Sequence, residues 1–267
     1  MSTLRDLVAT RALITTEDAD AFLRFHGAFS SRTRDRALAA LCASGDLVRI
    51  RRGVYVRSQP ECGRPDPYVV ASRLAPDAVL GLRTALEARG VIPPTARQCV
   101  YFTRLGETGR GPVWRGTRML RISHPVPLVR AGKEFMETEL IAAPAGGRMR
   151  VTTVERAVVD MMDRPRLAGD WLQIFGVLDA IPSLDLERVV CYVASLGNAT
   201  TAAKTGWVLE RRQDRLGVSA GILCRLEHMR PRGPHYLSRS HRVSGRYVAR
   251  WNLVVPPPLL SASDLNT

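Results

Sequence analysis

Leu47-Val48-Arg49-Ile50-Arg51-Arg52-Gly53-Val54-Tyr55-Val56-Arg57 is the stretch on which the fold turns. Two runs rich in β-branched residues flank a short basic turn that holds a glycine, and this pattern predicts a β-hairpin. Just upstream, Ser30-Ser31 precedes a helical run over residues 32–43, with Ala37, Leu38, Leu41 and Cys42 on one face and Ser44-Gly45 as its stop. Thr15 and Asp18 stand at capping-box spacing, so a helix is predicted over residues 19–25, broken by His26-Gly27. Leu4, Leu7, Val8 and Leu13 repeat at helical spacing and predict a first helix over residues 4–14. Three helices and then a hairpin is the order of a winged helix-turn-helix, assigned here to residues 1–58.

Residues 59–67, rich in proline and glycine, read as a linker. Residues 68–258 are predicted to form a larger mixed domain and 259–267 a tail, so the class is α+β. Helical patterning covers 68–74 and 82–89, and strand-like runs cover 99–103, 119–123 and 135–141. Residues 105–116, with Gly106, Gly109 and Gly111, are expected to be a loop. Thr152 and Glu155 form a second capping-box pair ahead of a helix over 154–162, which Arg164-Pro165-Arg166 stops. Further helices are predicted over 169–180, 184–196, 198–213 and 219–229. A strand is expected within 246–255, and Pro256-Pro257-Pro258 should end regular structure.

A chain of 267 residues has room for two hydrophobic cores, and an apolar share of 45% with 24% charged is globular. The formal net charge of +14 points toward an anionic partner. Lysine occurs only at Lys133 and Lys204, however, and arginine in place of lysine beside abundant alanine is also what GC-rich coding produces. The position of the charge therefore matters more than its total. The 5 cysteines show no paired spacing, which argues for reduced thiols. The opening residues have no apolar leader core, and no run nears the roughly 20 apolar residues of a membrane span. A cytoplasmic protein with no membrane partner is expected.

Charge is concentrated where a winged helix meets DNA. Arg24, Arg32, Arg34, Arg36, Arg49, Arg51, Arg52 and Arg57 face only Asp35 and Asp46 over that stretch. Ser31, Arg32, Thr33, Arg34 and Arg36 open the third helix, whose first turns reach base edges in the major groove. Arg49, Arg51 and Arg52 lie on the wing, suited to phosphates or the minor groove. A second basic block spans 204–250; within it Arg211, Arg212 and Arg215 are expected on a helix face, either as a docking surface or simply as a solvated one. Catalytic patterns are sparse. The 106–111 loop lacks a nucleotide fingerprint, and Cys224 with His228, His235 and His241 lacks a cysteine knuckle. Glu155, Asp160 and Asp163 read better as capping and ion-pairing groups than as a metal cluster. No cofactor, no metal and no enzymatic activity are expected.

Several segments resemble the AbiEi antitoxin family. They are the wing Leu47-Val48-Arg49-Ile50-Arg51-Arg52-Gly53-Val54-Tyr55-Val56 and the run Val151-Thr152-Thr153-Val154-Glu155-Arg156-Ala157-Val158-Val159-Asp160, with Asp163-Arg164-Pro165 and Leu167-Ala168-Gly169 after it. Leu196-Gly197-Asn198-Ala199-Thr200-Thr201-Ala202-Ala203-Lys204-Thr205-Gly206-Trp207-Val208-Leu209-Glu210, Pro234-His235-Tyr236-Leu237 and Arg250-Trp251-Asn252-Leu253-Val254-Val255-Pro256 are similar too. The family is the antitoxin half of type IV toxin–antitoxin systems. The resemblance implies a winged domain that represses its own operon on double-stranded promoter DNA. It also implies a carboxy-terminal domain that opposes an AbiEii-like nucleotidyltransferase toxin, with Arg211, Arg212 and Arg215 as a candidate neutralisation surface. The alternative is a winged-helix regulator whose second domain senses a ligand or resembles a nuclease. For the nuclease, no acidic residue followed by x-Lys stands in strand context.

Overall fold

The computed structural model describes residues 3–27, 30–58, 65–94, 97–104, 109–143, 147–238 and 245–260. The chain has an α+β fold and divides into two compact units, each built from separated segments. The first takes Met1–Leu80, Thr95–Ser123 and Leu140–Arg150; the second takes Gly81–Pro94, His124–Glu139 and Val151–Thr267. This partition runs differently from the expected boundary after residue 58.

The first unit begins with α1 (Leu4–Thr10), β1 (Leu13–Thr15), α2 (Thr16–Phe25), α3 (Ser31–Ala43), β2 (Leu47–Arg51) and β3 (Val54–Arg57). The capping box at α2 forms as expected: the Asp18 amide donates to Thr15 Oγ1 at 3.1 Å, and the Thr15 amide donates to Asp18 Oδ2 at 2.9 Å. The first helix is shorter than its leucine spacing predicts. It ends at Thr10, and Leu13–Thr15 pairs antiparallel with Val54–Val56, giving a three-stranded sheet in the order β1-β3-β2. Helix and strand both bury Leu7, Val8 and Ile14 against Leu38, Leu41, Leu47 and Tyr55, so the apolar pattern alone does not distinguish them. Gly53 has φ +82° at the β2–β3 turn, and a side chain there would press on Thr16 Oγ1 at 3.1 Å. The Thr16 amide donates to the Gly53 carbonyl at 3.0 Å, which ties the turn to the start of α2.

The same unit continues with α4 (Pro67–Ser72), β4 (Val79–Leu80), β5 (Gln98–Thr103), β6 (Gly109–Trp114), β7 (Thr117–Ser123) and the larger parts of β8 (Thr138–Ala142) and β9 (Arg148–Thr152), whose residues 138–139 and 151–152 are counted with the second unit; the strand order is β6-β7-β5-β4-β9-β8. Asp66 caps α4 by accepting from the Tyr68 amide at 2.8 Å, and Pro67 fills its first turn, so the helix begins inside the expected linker, whose residues 59–64 lie outside the described set. The expected 105–116 loop is corrected from Gly109 onward: those residues pair with β7, and the glycines accompany a register shift between Arg110 and Val113. Gly106 lies outside the described residues.

The second unit is mainly helical: α5 (Leu82–Ala88), α6 (Val126–Arg130), α7 (Val154–Asp163), α8 (Pro165–Ala168), α9 (Trp171–Ala180), α10 (Leu186–Leu196), α11 (Ala199–Glu210), α12 (Gln213–Leu216) and α13 (Ala220–His228). A small sheet of β10 (His235–Tyr236), β11 (Arg246–Val248) and β12 (Leu253–Val255) completes it, with β12 central. Pro257–Leu259 forms a 3-10 turn with Leu259 buried, so the ordered chain runs past the expected stop. Helix α7 is the axis, with every residue from Glu155 to Met162 buried and α5, α8, α10 and α11 packed around it. Its cap is Thr153, whose hydroxyl accepts from the Arg156 amide at 3.3 Å, and not Thr152. Thr152 is the last residue of β9, one position before the cap. Residues 135–137, expected in a strand, form a turn, because the carbonyls of Glu134 and Met136 face the Arg156 guanidinium.

Candidate nucleic-acid interface

Ser31, Arg32, Thr33 and Arg36 are exposed on the first turns of α3, and Ser30 at its amino end makes no side-chain cap. Arg34 behaves differently from its neighbours. Its Nη1 donates to both Asp20 oxygens at 2.9 and 2.8 Å, and its Nε donates to Asp35 at 2.9 Å. The Asp35 hydrogen bond and then that of Asp20 hold its pKa above the ordinary value. Arg34 thus links α3 to α2, while the arginines on either side face solvent.

The β2–β3 hairpin carries more arginines. Arg51 lies beside Tyr101 of β5, whose phenol is raised by burial and drawn back by Arg51 and Arg121. Arg49 is exposed and lies near the partly buried Cys42 of α3, a thiol that burial raises and Arg49 lowers. Arg52 is exposed at the turn. Nearby arginines are occupied: Arg5 faces Asp46 at 4.0 Å, Arg11 pairs with Asp18 at 2.6 Å, and Arg57 donates to the Ala9 carbonyl at 3.2 Å. Of the arginines expected to meet DNA, Arg32, Arg36, Arg49 and Arg52 form no ion pair with any described residue. Tyr101 is the partner that sequence reading missed, some fifty positions from Arg51.

In the second unit the expected helix face of Arg211 and Arg215 is corrected. Helix α11 ends at Glu210 and α12 starts at Gln213, so the two residues are not one turn apart on a continuous helix. Arg211 lies over the Trp207 ring at 4.9 Å. Arg212 stacks on Phe175 at 4.9 Å and bonds to Asp179 at 2.9 Å, with burial lowering its pKa. Arg215 donates to the carbonyls of Ile181 and Leu178 at 2.8 and 2.7 Å, closing the end of α9. The trio ties α9, α11 and α12 together. Farther along the basic block, Arg225 pairs with Glu187 at 2.5 Å, and Arg250 bonds to Glu227 at 3.0 Å and to Glu210.

Asp160 is fully buried; it faces Arg156 Nε at 3.3 Å and accepts from the Tyr192 hydroxyl at 2.8 Å. Arg156 also donates to the carbonyls of Glu134 and Met136 at 2.8 and 2.6 Å, and lies 3.3 Å from His124 Nδ1. Burial raises the Asp160 carboxyl, against the pull of Arg156. Glu155 accepts from the Asp185 amide at 3.2 Å, and Asp163 accepts from Asn198 and Thr201 at 2.9 and 2.7 Å. His228 Nδ1 lies 2.7 Å from the Cys224 carbonyl and 3.5 Å from its sulfur, and His241 lies outside the described residues. Among the described residues, no group of three or more His, Cys, Asp or Glu is placed to hold a metal ion.

No family model and no curated protein matches the chain. A solved structure, that of the RV2827C protein from Mycobacterium tuberculosis, is similar to it with a TM-score of 0.58 at 18% identity, over 94% of this chain and 89% of that one. The likeness shows a shared fold across both units. No helix among the described residues is long and apolar enough to cross a membrane.

Proposed function

We propose that residues 3–58 are a winged helix-turn-helix that binds double-stranded DNA, with α3 in the major groove and the β2–β3 turn as the wing. The protein is then a promoter-binding repressor and antitoxin of the AbiEi kind, with an AbiEii-like nucleotidyltransferase as its functional partner. The observation that carries the DNA reading is the set Arg32, Arg36, Arg49 and Arg52, exposed and free of ion pairs among the described residues on the helix and hairpin that this motif offers to a duplex. An arginine with no carboxylate partner retains its full charge for phosphate or guanine. The antitoxin reading rests on the segments of likeness over 151–169, 196–210, 234–237 and 250–256. It requires no catalytic group in the second unit.

The test is binding of the purified full chain to a duplex from upstream of its own gene, read by fluorescence anisotropy at low salt beside a scrambled duplex. Tighter binding to the upstream duplex supports the reading, and absence of binding by folded protein overturns it. Co-expression with a nucleotidyltransferase encoded next to the gene tests the antitoxin half. Rescue of growth supports it, and unrelieved toxicity with abundant folded antitoxin refutes it.

A further inference from the structure

The second unit contains a cleft of about 1150 Å³, lined by residues from 163–172, 198–204, 234–238 and 256–259. Small-molecule sites occupy roughly 300–1,000 Å³, so a ligand of moderate size fits with room for water. Four segments of the sequence meet here, and their side chains have a consistent character.

The first feature is an excess of positive charge. Arg164, Arg166 and Lys204 line the cleft. The acids beside them are already engaged: Asp163 accepts two hydrogen bonds and lies 3.5 Å from Arg164, and Asp170 caps α9 by accepting from the Gln173 amide at 2.8 Å. Arg166 is exposed and forms no ion pair with any described residue. Helices α9 and α11, of 10 and 12 residues, both present their amino ends to the cleft, adding partial positive charge.

The second feature is an aromatic and apolar wall. Trp171 and Tyr236 line the cleft, and Leu172 is 66% exposed beside them. Lys204 Nζ lies 6.0 Å from the Trp171 ring, so cation and aromatic surface are neighbours. Thr200 Oγ1 and His235 Nδ1, 2.5 Å apart, add hydrogen-bonding groups. A phosphate ion uses only the cations, and a hydrocarbon uses only the wall. A ligand that uses both carries an anionic group and a flat ring.

We propose that this cleft binds a mononucleotide, its phosphate held by Arg166, Arg164 and Lys204 and its base lying against Trp171 and Tyr236. The site lies wholly within the second unit and does not depend on the DNA reading.

The test uses the full chain without DNA. AMP, GMP, CMP and UMP are titrated by calorimetry and by tryptophan fluorescence, beside inorganic phosphate, adenosine and a short single-stranded RNA. At least one mononucleotide should bind saturably at one site per chain, at least tenfold more tightly than phosphate or adenosine. Arg166→Ala and Leu172→Glu, both at exposed positions, should each weaken it at least tenfold while the thermal midpoint stays near that of the wild type. Arg166→Lys should restore part of the loss. Four results would each overturn the proposal: no saturable binding of any mononucleotide at millimolar concentration, phosphate or adenosine binding as tightly as the nucleotide, RNA binding without mononucleotide binding, or full affinity in both variants.

Discussion

Arg34→Ala and Arg36→Ala remove the same charge two residues apart on α3, and their consequences should differ by assay. Each phosphate contact contributes about 0.9 to the slope of log affinity against log salt on duplex DNA. If Arg32, Arg36, Arg49 and Arg52 each meet a phosphate, the slope attributable to them is about −3.6. Raising salt from about 50 to about 200 mM should then weaken binding roughly 150-fold. Arg36→Ala should bring the slope to about −2.7 and the loss to roughly 40-fold. Its stability should stay within about 0.5 kcal/mol of wild type, since the side chain is exposed and unpaired. Arg34 is committed to Asp20 and Asp35. Arg34→Ala should therefore keep a slope near that of wild type and instead lose about 0.2–1 kcal/mol of folding stability. Anisotropy across a salt series gives the slopes, and urea unfolding gives the stabilities. Equal slope losses in the two variants, or an unchanged slope in Arg36→Ala, would show that pairing does not sort these arginines.

Three further outcomes are expected in the second unit. Arg156→Met should cost about 3–5 kcal/mol near pH 7, because it strands the buried Asp160 carboxylate. Removing the cation raises the Asp160 pKa further, so protonation relieves the variant more than the wild type, and the gap should narrow as pH falls toward 4. A gap independent of pH in chemical unfolding would place Asp160 outside that interaction. Gly206→Ala would put a methyl 2.0 Å from the Trp251 ring, so overpacking of about 1–3 kcal/mol should exceed the helix-propensity gain of about 1 kcal/mol. A thermal midpoint as high as wild type would refute that close approach, and Trp251→Leu should rescue the variant. Thr153→Ala should cost about 1 kcal/mol as the loss of the α7 cap. Thr152→Val should be neutral or stabilising, because the buried Thr152 hydroxyl has no hydrogen-bond partner among the described residues. The reverse order in unfolding experiments would move the cap back to Thr152.

What could be read from the sequence was local. The Thr15–Asp18 box, the Gly53 turn and the apolar face of α3 each depend on residues within a few positions, and each appears where its chemistry requires. The errors also have local causes. Leu13 fits a helical repeat, but a three-residue strand is set by its partner Val56, 43 positions away and invisible to periodicity. Thr152-Thr153 offers two adjacent caps, and only the strand pairing of β9 decides between them. Glycines at 109 and 111 suggest a loop until the neighbouring strand makes them part of an irregular hairpin.

Function is further from the sequence for the same reason. Arg32, Arg34 and Arg36 are the same residue type on one helix, yet Arg34 finds Asp20 fourteen positions back and is removed from the surface charge. Arg51 and Arg52 are adjacent, yet only Arg51 lies beside the buried Tyr101. Arg211, Arg212 and Arg215 read as a basic patch and act as packing and capping groups for α9. A net charge of +14 counts all of these arginines equally. A duplex or a nucleotide responds only to the charge that folding leaves unpaired, and that remainder is a property of tertiary neighbours. It predicts a sharper experiment than composition does: exchanging Asp20 and Asp35 together for Asn should release Arg34 and steepen the salt slope, with every arginine of α3 unchanged. If the slope of the Asp20→Asn, Asp35→Asn double variant matches wild type while Arg36→Ala flattens it, Arg34 points away from the duplex even when released, and its place on α3 is structural.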